Sequence, residues 1–156
     1  ACNRPVRFVM DHRIFATPVL SWLFKMCNAI PIAPAKESEL IKEQAFLAIS
    51  EALRDEQLVC IFPEGMITHD GELNVFKPGV ERILRQDPVP VIPMAIGGLW
   101  GSFFSRKGGA AMKKLPKPSH RTISVFVSSP ILPPTSAGSL QDKVTELLRV
   151  IDNEAA

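Results

Sequence analysis

The chain has 156 residues, 46% of them hydrophobic and 22% charged, and a formal net charge of +2 at pH 7. That size suits one domain, residues 1–156, with a real core, and the composition excludes disorder for the bulk of the chain. So small a charge gives no ground for nucleic-acid binding, although a pI near 8.6 is compatible with weak attraction to anionic lipid or phosphate.

From the start of the chain, Arg4 to Met10 reads as a strand, with Val6, Phe8 and Met10 alternating with Arg7 and Val9. A domain rarely begins inside an element, so a start at Ala1 suggests a piece of a longer polypeptide. Asp11 and His12 follow as a polar break. Pro18 to Cys27 reads as a short helix with proline in its first turn, apolar nearly all round and therefore expected to be buried or to lie against something greasy. Ala29 to Pro34 is a short apolar strand broken by prolines. Ser38 is placed to cap a helix from Glu39 to about Arg54, with Phe46, Ile49 and Leu53 on its core face.

Leu58 to Phe62 reads as a buried strand that must end at Pro63, which has no N–H to give to a sheet. Glu64 and Gly65 then stand at the carboxyl end of a strand, where open α/β sheets bind ligands. His69-Asp70 is adjacent to Gly71, and Asp-Gly is a turn signal that outweighs any catalytic pairing of the two side chains. Pro78 opens a helix to about Arg85. Val89 to Ile96 is a further strand, with Pro90 and Pro93 marking an edge or bulge. Gly97 to Lys117 is the least regular stretch and holds Arg106, Lys107, Lys113, Lys114 and Lys117. Thr122 to Ser128 is another strand. Ser139 with Asp142 resembles a capping box, and Leu140, Val144, Leu147, Leu148 and Ile151 then line one face of a terminal helix. Alternating strands and helices predict an α/β protein with a mixed, mostly parallel sheet flanked by helices.

The cysteines Cys2, Cys27 and Cys60 have no metal-binding spacing, and an odd number points to reduced thiols. Cys60 reads as a small core residue. Neither histidine-acid neighbour pair has a third ligand at a metal-like distance in sequence. The longest apolar run, Ile14 to Met26, is interrupted by Thr17, Pro18, Ser21 and Lys25 and falls short of the ~18 residues of a bilayer span.

Three blocks taken in order resemble a known family. Phe62-Pro63-Glu64-Gly65, then Lys77-Pro78-Gly79, then Val89-Pro90-Val91-Ile92-Pro93 are similar to the later motifs of the glycerolipid acyltransferases, and Ala29 to Pro34 occupies the place of an earlier one. The run Phe62 to Leu73 resembles bacterial acyltransferase domains joined to transporter-like or acyl-carrier-protein-synthetase modules. The resemblance implies a glycerol-phosphate acyltransferase-like fold. It also implies transfer of a fatty acyl group from acyl-CoA or an acyl-carrier protein to a hydroxyl of a lysophospholipid or glycerol phosphate. No cofactor beyond that thioester donor is implied. Phe62, Pro63, Glu64 and Gly65 fall where the family binds its acceptor. Lys36 stands nearest to the place where the family carries an arginine, and Lys77 and Arg82 are further cations for the acceptor. Trp22, Phe24, Trp100, Phe103 and Phe104 are candidates for acyl-chain or membrane contact at the cytoplasmic face, with the glycine-rich setting of Trp100 favouring exposure.

In that family the chemistry belongs to a histidine followed, after four residues, by an aspartate. Here His12 is followed at that spacing by Thr17, His69 by Asn74 and His120 by Val125. The resemblance therefore puts the catalytic pair before Ala1 and makes this chain inactive by itself. The alternatives are a degenerate acyltransferase fold that binds lipid or a partner without catalysis, and a small-molecule α/β enzyme unconnected with lipids.

Overall fold

The computed structural model describes residues 4–15, 21–34, 36–103, 105–111 and 122–155. They gather into two compact units, one of Ala1–Pro63 with Arg82–Val89, the other of Glu64–Glu81 with Pro90–Ala156.

In the first unit, β1 (Val6–Asp11) runs into the single turn α1 (His12–Phe15), followed by α2 (Ser21–Met26), β2 (Ile30–Ile32), α3 (Glu39–Arg54) and β3 (Leu58–Cys60). β1 is the middle strand of a parallel three-stranded sheet in the order β2-β1-β3, with Val9 opposite Ile30 and Val6 opposite Leu58. Parallel strands need crossovers, and α3 supplies the one that carries the chain from β2 past β1 to β3, packing on both β2 and β3. Ala45 and Ile49, one turn apart on α3, close the core against Val9 and Ile30. Ile49 is 1% exposed.

The boundaries of α3 are set locally. Ser38 is extended at φ −159°, and its Oγ accepts the Ile41 N–H at 3.3 Å. At the other end the Gln57 N–H returns to the Ala52 carbonyl and the Glu56 N–H to the Leu53 carbonyl, with Glu56 left-handed at φ 56°. This is a Schellman termination with a glutamate where glycine is usual.

α4 (Gly79–Gln86) follows the long loop after β3. Its later part belongs to the first unit. There Arg82 grips the Glu43 carboxylate with both terminal nitrogens and lies 4.0 Å over the Phe46 ring, while buried Asp87 accepts from Arg54 Nε at 3.1 Å.

The second unit is built on an antiparallel ribbon of β4 (Met94–Gly97) and β5 (Ser124–Val127), with α5 (Ala137–Ala155) packed across one face. Gly97 lies directly against the Ile151 side chain, so a larger residue there would force Ile151 to shift. Ala95, Leu140, Val144 and Ile151 are buried, as the helical spacing of the last three requires. The α/β class with a parallel sheet flanked by helices is as expected; the parallel and antiparallel pairings fall in two sheets.

Several element boundaries differ from the expectations. The strand at Val89 to Ile96 shrinks to Met94–Gly97, preceded by an isolated bridge between Val91 and Ile131, because Pro90 and Pro93 have no N–H to donate. Ladder pairing in β3 stops at Cys60, two residues before Phe62. α5 starts at Ala137 and not at Ser139. Ser136 is its cap, its Oγ accepting the Ser139 N–H at 3.1 Å, and Glu81 Oε1 takes the Ala137 N–H at 2.8 Å. Along α2, Trp22 is 62% exposed and Met26 is also exposed, so these two side chains are not buried. No described helix is long and apolar enough to cross a membrane.

Candidate acceptor-binding loop

After β3 the chain passes Phe62 and Pro63 and enters a loop stapled by its own carboxylate. Glu64 Oε2 accepts two hydrogen bonds from Asn74, the backbone N–H at 2.8 Å and Nδ2 at 3.0 Å. Gly65 is left-handed at φ 63°, and its carbonyl faces Lys77 Nζ at 3.4 Å. A Cβ on Gly65 would sit 2.6 Å from that ammonium nitrogen, so the glycine is what lets Lys77 approach the backbone. Farther along, the Phe76 N–H is taken by Gln141 Oε1 of α5 at 2.9 Å. The loop thus has fixed points at 64, 65, 74, 76 and 77, and one oxygen of Glu64 outside the Asn74 pairing.

The intervening segment is a turn. Asp70 Oδ1 accepts from Thr68 Oγ1 at 2.8 Å and from the Glu72 N–H at 3.0 Å, while the Gly71 N–H reaches Thr68 Oγ1 at 3.1 Å. These bonds, the Glu72 amide foremost, hold the Asp70 carboxyl below its ordinary range. The Trp100 ring lies on Gly71, 2.9 Å from where a Cβ would stand. His69-Asp70 is therefore turn chemistry, as the Asp-Gly signal predicts.

The structure sorts the sequence-derived candidates. It joins Glu64 and Gly65 to Asn74 and Lys77 in the second unit. Phe62, which is 57% exposed, belongs with Pro63 and exposed Lys36 to the first unit. Arg82 is no spare cation for an acceptor, because Glu43 and Phe46 occupy it; this ion pair raises its pKa and lowers that of Glu43. Trp100 and Phe103 are half-buried, against the expectation of exposure, and Phe104 lies outside the described residues. Phe24 stacks on Phe15 with ring centroids 6.4 Å apart, whereas Trp22 stays exposed. Asn74 had no sequence signal, since its partner lies ten residues away in a loop of no regular period.

Cys60 is partly buried, and that burial pushes its thiol pKa up, as a thiol with a packing role requires. Among the described residues no cluster of histidine, cysteine and acid side chains suits a metal ion. The first unit also holds an apolar cavity of about 360 Å³, lined by His12, Phe15, Ile30, Pro31, Ile41, Gln44, Ala45 and Ala48. His12 Nδ1 is buried there without a hydrogen bond, 3.6 Å from Asp11, whose carboxylate is taken by Arg13 at 2.6 Å. Its neighbour is thus paired elsewhere.

A family model described as Acyltransferase matches residues 1–97, a stretch that carries Phe62-Pro63-Glu64-Gly65 and Lys77-Pro78-Gly79. The chain belongs to the acyltransferase family. This acyltransferase chain is 30% identical over 95 residues to 1-acyl-sn-glycerol-3-phosphate acyltransferase BAT2, chloroplastic, from Brassica napus, covering 59% of the chain and 26% of that protein. It is 27% identical over 99 residues to the chloroplastic enzyme LPAT1 of Arabidopsis thaliana, covering 62% of the chain and 26% of that protein. It is 28% identical over 88 residues to a probable 1-acyl-sn-glycerol-3-phosphate acyltransferase of Mycoplasma pneumoniae, covering 56% and 33%. The match therefore spans about a quarter to a third of the length of these curated relatives. In fold it is similar to the crystal structure of the 1-acyl-sn-glycerophosphate acyltransferase PlsC from Thermotoga maritima, with a TM-score of 0.63 at 21% identity over 97% of this chain and 58% of that one. The glycerolipid acyltransferase resemblance read from the motifs is borne out.

Proposed function

We propose that residues 1–156 act as one acyltransferase domain that serves acyl transfer from acyl-CoA or an acyl-carrier protein to a hydroxyl of a lysophospholipid or glycerol phosphate. The observation that carries the reading is the family match over residues 1–97, which includes the Glu64 loop. The relatives, 1-acyl-sn-glycerol-3-phosphate acyltransferases by name, supply the acceptor class. In this reading the acceptor oxygen attacks the thioester carbonyl, the C–S bond breaks, and the proton taken from the hydroxyl passes through a base to the departing thiolate. Glu64, with one oxygen tied to Asn74, offers the other to an acceptor hydroxyl, and Lys77 of the same unit offers a cation to a phosphate. The apolar cavity beside His12 suits the hydrocarbon tail of a substrate.

The base in this proposal is a histidine with its aspartate in residues outside this chain, since none of His12, His69 and His120 has an aspartate five places on. The longer protein works at the cytoplasmic membrane surface and carries transporter-like or synthetase modules. The same missing pair favours a second reading, a lipid- or partner-binding domain without catalysis.

Labelled acyl-CoA and acyl-carrier protein, offered with 1-acylglycerol 3-phosphate, separate these. This chain alone is expected to transfer nothing, and a longer chain with the upstream pair is expected to transfer. In that longer chain Glu64→Ala lowers the rate by about tenfold or more, ~1.4 kcal/mol of transition-state stabilisation. Transfer by the isolated chain overturns the external base. A longer chain that binds lysolipid without turnover establishes the second reading.

A further inference from the structure

The strap that closes the Glu64 loop, residues 74–77, belongs to no helix or sheet, so its donors need acceptors outside any ladder. The Asn74 N–H goes to Glu64, ten residues back. The Phe76 N–H goes to Gln141 Oε1 on α5, 65 residues on, at 2.9 Å. Phe76 is 7% exposed, so little water stands ready to replace that acceptor. A glutamine amide accepts an N–H through its oxygen, which fixes the end of the side chain that faces Phe76.

α5 meets the same stretch of chain at a second point. Ala137, one turn before Gln141 and on its face of the helix, gives its N–H to Glu81 Oε1 at 2.8 Å. Ala137, Leu140, Val144 and Ile151 are buried where α5 packs on β4 and β5, and that packing holds the helix in place. Residues 76 and 81 are thus both bonded to the first turns of one helix, all within the second unit.

The candidate site hangs from this strap. Asn74 takes Glu64 Oε2, and Lys77 Nζ stands 3.4 Å from the Gly65 carbonyl. That distance is near the limit of a hydrogen bond, so a shift of about 1 Å in the strap would undo the approach. A misplacement of that size can slow a reaction about 10²-fold.

We propose that Gln141 is a positioning residue for the acceptor. By holding Phe76 it sets Asn74 and Lys77, and through them the carboxylate and the cation that meet the acceptor's hydroxyl and phosphate. The inference rests on the acceptor reading proposed above. Gln141 lies outside residues 1–97, so this support comes from beyond the stretch that the family model matches.

Two measurements on this chain test it, with Gln141→Met, which keeps the side chain's length without its acceptor, and Gln141→Glu, which restores an oxygen. By NMR, the Phe76 and Asn74 amides are expected to exchange hydrogen about tenfold faster in Gln141→Met and near the wild-type rate in Gln141→Glu. The Ser128 amide, bonded to the Pro93 carbonyl at 2.9 Å in the same unit, should exchange as in wild type throughout. Calorimetric titration with 1-hexanoylglycerol 3-phosphate should show affinity about tenfold weaker in Gln141→Met and recovered in Gln141→Glu. Glu64→Ala and Lys77→Met test the acceptor reading by itself and should also weaken binding. If those two weaken it and Gln141→Met does not, the positioning role is overturned while the acceptor reading stands. Ser128 exchange that rises in step with Phe76, or no recovery in Gln141→Glu, overturns the positioning role as well. Wild type that does not bind the probe, or binding unchanged in Glu64→Ala and Lys77→Met, overturns both. Should Gln141→Met misfold, Gln141→Ala, favourable in a helix, carries the same expectations.

Discussion

Removing the Glu64 carboxylate tests the loop most directly. Glu64 Oε2 takes two donors of Asn74 at 2.8 Å and 3.0 Å, in a half-buried setting. A hydrogen bond to a charged group contributes about 1.5–3 kcal/mol, and partial solvation puts each of these at or below the low end. Glu64→Ala deletes both and should cost about 2 kcal/mol; Asn74→Ala deletes one, keeps the backbone donor and should cost about 1 kcal/mol. A double-mutant cycle by urea unfolding should then show a coupling of about 1 kcal/mol. Locally, the Asn74 amide should exchange its hydrogen about tenfold faster in Glu64→Ala, the effect of ~1.4 kcal/mol on an opening equilibrium. Glu64→Gln keeps an acceptor oxygen and should fall between. The Gln57 amide, tied to Ala52 in the other unit, is the internal control. Equal exchange at Asn74 in wild type and Glu64→Ala, with the Gln57 rate unchanged, would refute the claim that this carboxylate holds the loop.

Two left-handed residues should respond in opposite directions. Glu56→Gly, at φ 56°, should stabilise by about 0.5–1 kcal/mol in chemical denaturation, whereas Gly65→Ala, at φ 63°, should destabilise by about 1 kcal/mol or more and displace Lys77. The lowered carboxyl of Asp70 contributes stability that is complete above its unfolded value, near 3.8, and is lost as pH falls through the folded value below it. Thr68→Val removes one of its donors, so NMR titration should find the Asp70 pKa raised in that variant and its share of acid stability reduced. Iodoacetamide at pH 8 should modify exposed Cys27 well before Cys60, whose thiol pKa is raised by burial, as peptide mass mapping would show.

What was legible in the sequence follows physical range. α3 could be placed at Glu39–Arg54 because its cap and its apolar spacing act within a few residues of the chain. Three motif blocks carried the family, since a proline that ends a strand and a glycine that turns the backbone are local demands. The start of α5 is not legible in the sequence because Ser136 and Ser139 are both chemically able to cap, and Glu81, a partner 56 residues away, takes the Ala137 N–H and favours the earlier start. Pro90 and Pro93 announced an interrupted strand, but only pairing with Ile131 and Val127 determined where it resumed.

The sequence by itself determined the class of the fold, the family, and the absence of a histidine-aspartate pair at the family spacing. Tertiary structure decided how the candidate side chains are used. It tied Glu64 to Asn74, committed Arg82 to Glu43 and Phe46, laid Trp100 on Gly71, and brought Gln141 to Phe76. Backbone preference is written in neighbouring residues, whereas a side chain's partner is chosen by whatever the folded chain brings within 3 to 4 Å of it.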